Sequence, residues 1–191
     1  MVLNKYIFKN KFKYFILKLA PKNFEVFIEL KNRIKYRLRG KVADKTVLKE
    51  VWLKNIYDQF GVKVDDGDLV VDIGAHVGIF STYAAQKNKS GKIFSFEPFK
   101  DNFNRLKFHK ELNKISNINI YNLAISGENG KKFFYINSKN SGGNSFIKDI
   151  YRNKEIIVET IKLTDFCKKE KIRKIDFLKM DCEGAEFEIF E

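Results

Sequence analysis

Cysteine, proline and histidine are nearly missing from this chain, which has two of each among 191 residues. Cys167 and Cys182 form no CxxC pair and have no histidine nearby to complete a zinc set, which excludes a disulfide scaffold and a zinc module. They read as reduced thiols, so a cytoplasmic protein is expected. Uncharged apolar runs are scarce at the N-terminus: the longest, Tyr14 to Leu17, is far too short to span a bilayer or form a signal core, so no transmembrane segment is expected. Acidic residues are lacking there too. Residues 1–54 carry 15 Lys+Arg against four acids, Glu25, Glu29, Asp44 and Glu50, which puts +11 of the net +13 in the first quarter. The charge therefore describes a basic arm on a nearly neutral body.

Hydrophobic residues make up 44% of the chain and Phe alone contributes 19, enough for one good core and against disorder. Val47, Leu48, Val51, Trp52 and Ile56 recur at helical steps after Asp44, which predicts a helix starting there. "LVVDI" (Leu69 to Ile73), "KIFSFE" and "INIYNLAI" (Ile118 to Ile125) read as buried strands. The segments between them, "IFSTYAAQK" and the Phe99–Ile115 region, have helical periodicity. This alternation predicts right-handed crossovers and a parallel sheet. "KKFFYI" and "EIIVETIKL", around a Gly/Ser/Asn loop, predict an inserted antiparallel pair. A short helix from Thr164 then leads to a fourth strand, "IDFLKMD".

Ligands of such sheets bind beyond the carboxyl ends of the strands. The first strand ends in "VDIGAHVG". The dinucleotide fingerprint G-x-G-x-x-G is absent, which disfavours an NAD oxidoreductase; the pattern is D-x-G-x-x-x-G, from Asp72, Gly74 and Gly78. An acid before the glycine turn repels a pyrophosphate and suits a sulfonium, which points to S-adenosyl-L-methionine. Glu97, 25 residues after Asp72 at the next strand tip, is placed to accept both hydroxyls of a ribose. "DCEGAE" at the fourth strand tip offers Asp181 and Glu183 as catalytic carboxylates, able to take a proton from an acceptor hydroxyl. An alternative is that these acids simply suit the first turn of a helix, as Glu186 does. No third ligand accompanies the pair, so no metal is expected.

These stretches, with "FEPFKDNF", "NLAIS", "GGNSF" and "IDFLKMDCEGAEFEIF", resemble the FkbM-type methyltransferases, a branch of the class I S-adenosylmethionine-dependent enzymes. The resemblance runs from about Tyr36 to the last residue. It implies an α/β, Rossmann-like, mostly parallel sheet with flanking helices, whose C-terminal strands are missing here and whose fourth strand is left as an exposed edge. Residues 1–43 are then a basic helical and strand extension, and 44–191 the cofactor-binding domain. The resemblance implies cofactor contacts at Asp72, Gly74, Ala75, His76, Gly78, Glu97, Asn102, Asn122 and Ala124. His76 stands where the family usually has Asn, and reads either as a residue tolerant of a left-handed turn or as a base. Cys182 stands where Val is common.

The activity implied is O-methylation of a sugar, glycan or secondary-metabolite hydroxyl. A truncated chain that binds cofactor without turning over, or a nucleic-acid methyltransferase using the basic arm, are the alternatives. The latter lacks the [DN]-P-P-[YF] or Pro-Cys chemistry it would need, so nucleic acid is not the expected partner. Weak peripheral membrane contact through the basic N-terminus is a further reading. The lysines of residues 5 to 18 fall on two helical faces, however, which favours a solvated face lying over the domain.

Overall fold

The computed structural model describes residues 7–22, 24–137, 142–182, 184 and 186–190. A four-stranded parallel sheet organises it, in the order β5-β4-β3-β9, from β3 (Leu69–Ile73), β4 (Lys92–Phe96), β5 (Ile118–Tyr121) and β9 (Phe177–Met180). Val70 pairs with Ile93 on one side and Phe177 on the other, so β3 is central and, among the described residues, β9 lies at the edge. β3 is buried almost throughout, which explains its unbroken apolar run. Helices α3 (Ile79–Lys87) and α4 (Lys100–Leu112) follow β3 and β4. They complete the crossovers that the alternation predicted.

The expected third strand, Ile118 to Ile125, divides in two. Asn122 interrupts it by donating from Nδ2 to the carbonyls of Glu97 and Pro98, both at 2.9 Å. The chain then leaves the sheet, and β6 (Ala124–Ile125) pairs instead with β8 (Lys154–Ile161). β7 (Gly130–Ile136) and β8 form the expected antiparallel pair. Helix α5 (Leu163–Lys169) returns the chain to β9.

At the N-terminus, α1 (Lys11–Leu19) precedes an antiparallel hairpin of β1 (Glu25–Glu29) and β2 (Lys35–Arg39). The helix expected from Asp44 is α2 (Asp44–Leu48), which loosens into a π-helical turn over Lys49–Leu53 and ends before Ile56. The boundary expected at 43/44 does not separate two cores. Leu17, Ile28, Tyr36 and Leu38 of the arm share one buried cluster with Val70, Ile79, Tyr83 and Ile93 of the body. Each such fully buried side chain contributes about 1.5–3 kcal/mol by leaving water. The Tyr36 hydroxyl, 0% exposed, is satisfied by Thr82 and by the Trp52 indole N–H at 3.0 Å.

Polar contacts tie the arm down as well. Neutral His109 accepts the Arg37 N–H at Nε2 (3.0 Å), so Nδ1 carries the proton and donates to the Val77 carbonyl at 2.8 Å. One buried imidazole thereby holds β2 against the turn that follows β3.

Candidate functional site

Where β3, β4 and β9 end, a cleft of about 510 Å³ opens, within the range of small-molecule sites. Its floor is the turn after β3. Gly74 has φ +74° and Gly78 φ +82°, both left-handed. A Cβ on Gly74 would lie 2.0 Å from the Asp181 carbonyl oxygen, and one on Gly78 2.3 Å from Leu106 Cδ1. The first glycine lets β9 close against the turn; the second seats α4. His76 between them also has positive φ, +53°, the conformation that Asn and His tolerate better than most residues.

Gly74, Ala75, His76, Glu97, Asn102, Ala124 and Asp181 all line this cleft. Three expected contact residues do not. Asp72 is 0% exposed beneath the floor, where its Oδ2 accepts from Ser81 Oγ at 2.6 Å and its Oδ1 lies 3.1 Å from Lys179 Nζ. Gly78 meets α4, and Asn122 braces the tip of β4. These three support the cleft from behind its surface. Glu183 lies outside the described residues.

Glu97 is 5% exposed, and its two oxygens accept the N–H groups of His76 (2.8 Å) and Phe99 (2.9 Å). Burial pushes its carboxyl up to about 7, against those two bonds. Asn102 donates to the same carboxylate, and the acceptor capacity left over, of about four lone-pair sites in all, can still serve a diol. Burial also pushes His76 down to about 4 and leaves it neutral near pH 7. Its Nε2 lies 3.6 Å from Asp44 Oδ1, a contact between a neutral ring and a carboxylate. Asp44 is itself buried. Desolvation opposes its charge, yet hydrogen bonds from the Arg39 guanidinium, at 2.8 and 3.1 Å, outweigh it and hold the carboxyl below its ordinary value. Arg39 reaches on to Asp101 at 2.7 Å and to Asn102 Oδ1 at 3.0 Å. The arm therefore orients both His76 and Asn102 at the cleft wall.

Lys179, which sequence reasoning missed, sits between Asp72 and Asp181 with 6% exposure. Its ammonium donates to the Gly74 carbonyl at 2.7 Å. Desolvation works against its charge, but the two carboxylates outweigh it and hold it above the usual lysine range. The signal was present in "FLKM": Lys179 shares the strand face of Phe177, so a charged residue occupies a buried position. The side chain of Asp181 is 58% exposed and stands 4.0 Å from that ammonium. Beyond it, Glu186 accepts the N–H groups of Cys182 (3.1 Å) and Gly184 (2.8 Å), closing the start of α6 (Glu186–Phe190). Glu188 of this helix binds Ser126 Oγ at 3.0 Å and Lys132 Nζ at 2.8 Å. Of the acids at this end, Glu186 and Glu188 build structure and Asp181 faces the cleft. Burial and the neighbouring Glu186 raise the Cys182 thiol to about 12, which leaves it an inert packing group.

The residues present fit S-adenosylmethionine: a carboxylate able to accept from a diol, a turn that only glycine allows at Gly74, and the cluster of Asp72, Lys179 and Asp181, whose net charge of −1 would suit a cationic sulfonium. A parallel sheet with a glycine turn after its central strand and an acid at the next tip defines a class I, Rossmann-like methyltransferase fold. Residues 72–191 match the model of the methyltransferase FkbM domain, and the chain belongs to that family of S-adenosylmethionine-dependent methyltransferases.

Similar proteins include Methyltransferase 1 of Beauveria bassiana (strain ARSEF 2860), 23% identical across 78% of this chain and 67% of that protein. Methyltransferase sdnD of Sordaria araneosa is 25% identical across 91% of this chain and 77% of its own length. Among solved structures, the methyltransferase FkbM from Methylobacillus flagellatus KT is 18% identical with a TM-score of 0.47, over 70% of this chain and 31% of that one. P. horikoshii TYW2 in complex with MeSAdo is 23% identical with a TM-score of 0.41, over 56% and 38%. The chain thus spans about a third of the length of these solved chains.

Proposed function

We propose that this chain binds S-adenosylmethionine in the cleft and O-methylates a hydroxyl of a sugar, glycan or secondary metabolite. The observation that carries the reading is that Glu97 and Asp181, carboxylates from two different strand tips, line one cavity together with the Gly74 turn. When bound, the cofactor supplies an activated methyl on a sulfonium. Glu97 accepts the ribose hydroxyls, while the backbone at Gly74, Ala75 and Ala124 borders the rest of the ligand. Asp181 takes the acceptor's hydroxyl proton on a carboxylate oxygen as the acceptor oxygen gains the methyl. Glu183, two residues on in the sequence, is the second carboxylate proposed for this chemistry.

An acceptor with an accessible hydroxyl fits the cleft, because Glu50 and Asp181 line it and can accept its hydrogen bonds. Among the described residues both cysteines are free thiols, which supports a cytoplasmic setting, and no helix is long and apolar enough to cross a membrane.

Calorimetric titration with S-adenosylmethionine and with NAD tests the cofactor; saturable binding of NAD alone would overturn the reading. Labelled methyl transfer to a panel of hydroxylated acceptors tests the reaction. Asp181→Asn should lower turnover about 10²–10⁴-fold, a larger effect than any it has on cofactor affinity. Unchanged turnover in that variant would remove Asp181 from the mechanism.

A further inference from the structure

From the surface of α1 we infer that the N-terminal arm docks on an anionic lipid surface. The helix is fixed in place. Asn10 caps it, its Oδ1 accepting the N–H groups of Phe12 (3.0 Å) and Lys13 (3.4 Å). Leu17 is buried at 1% exposure, with Ala20 at 5% just past the helix, and Tyr14 stacks on Phe8 at 4.4 Å. With that side committed to the core, Phe12, Phe15 and Leu19 remain 69%, 54% and 63% exposed. Their three- and four-residue spacing sets them in one row on the outer face. The sequence alone suggested a solvated face here, because the lysines fall on two faces of the helix. The structure shows that the outward stripe is apolar.

Charge decides which partner suits this stripe. Residues 1–24 hold six lysines and no acid, Glu25 being the first. Lys9 pairs with Glu29 at 2.9 Å, and Lys9, Lys13 and Lys35 all act on that one carboxylate, so positive charge is left over beside the stripe. A second copy of the chain would oppose lysines with lysines, because a two-fold contact brings the same patch to itself. A bilayer bearing anionic headgroups satisfies both features: the aromatic and Leu side chains enter the acyl boundary while the lysines remain at the phosphates. The helix is about 14 Å long at 1.5 Å per residue, so it lies in the interface and does not cross it. Such docking would hold the chain beside amphipathic acceptors.

The test is co-sedimentation of the full chain with phosphatidylcholine vesicles with and without phosphatidylglycerol, alongside the variants Phe12→Ser/Phe15→Ser/Leu19→Ser and Lys13→Glu. Thermal unfolding confirms that each variant, altered only at exposed positions, is folded. The expected result is partitioning to the anionic vesicles alone, reduced about tenfold or more in either variant. No sedimentation of the parent chain, or equal sedimentation of parent and triple variant, would overturn the proposal. So would retention on single-stranded RNA in place of vesicles, or a vesicle-independent dimer that the triple variant abolishes.

Discussion

Lys179 Nζ donates to the Gly74 carbonyl at 2.7 Å while lying 3.1 Å from Asp72 Oδ1, so one buried ammonium ties the tip of β9 to the turn that floors the cleft. Replacing it with methionine removes the partner of a fully buried carboxylate. Breaking such a pair is costly in a way that its presence is not rewarding. Lys179→Met should lose about 3–5 kcal/mol of stability in urea unfolding, and Lys179→Arg, which keeps the charge in a bulkier form, should lose less. A methionine variant as stable as the parent would show that Asp72 finds other compensation.

Gly74 gives a steric prediction. Alanine there must hold a φ of +74° with its Cβ 2.0 Å from the Asp181 carbonyl oxygen. The left-handed backbone alone costs about 1–2 kcal/mol. Gly74→Ala should exceed that figure, because β9 must also move, and calorimetry should show loss of S-adenosylmethionine binding. Retained affinity would mean that the turn can open without harm to the cleft.

Glu97 and His76 predict two opposed pH dependences. Glu97 titrates near 7 in the fold against an ordinary 4.5, so across that window the folded chain holds a proton the unfolded chain has released, and stability falls as pH rises. His76 titrates near 4 in the fold against an ordinary 6.5, so there the unfolded chain holds the extra proton and stability rises with pH. Each effect is worth about 3 kcal/mol, and over roughly pH 4.5 to 6.5 they oppose one another. Glu97→Gln should therefore leave a stability that climbs with pH across this window, and His76→Asn one that declines. Urea midpoints in a pH series check both; two variants with the same slope would contradict the burial of one group.

The role of His76 can be read from turnover. As a turn residue at φ +53°, it should be replaceable by Asn with stability at pH 7 changed by about 1 kcal/mol or less and methyl transfer retained. As a base, its loss would reduce turnover about 10²–10⁴-fold. The retained rate is expected, because its Nε2 faces the buried Asp44.

Periodicity found the strands and crossovers because a buried parallel strand is apolar along its whole length and a helix shows its 3.6-residue repeat. It missed the break at Asn122 and read Ile118 to Ile125 as one strand, since a side chain that caps a neighbouring strand is invisible in a run of β-formers. It also read Asp44 only as a helix start, although Asp44 is the buried anchor of Arg39, five residues earlier in sequence and on another element.

The sequence by itself determined the order of elements, the glycine turn and the acids at the strand tips, because these follow from local backbone chemistry and short spacings. Only the tertiary structure decided which acids face the cleft. Asp72 and Asp181 are both strand-end aspartates, yet one is covered by Ser81 and Lys179 and the other is half open. That difference comes from residues 107 positions apart in the chain being brought side by side by the pairing of β3 with β9, a contact no local pattern encodes.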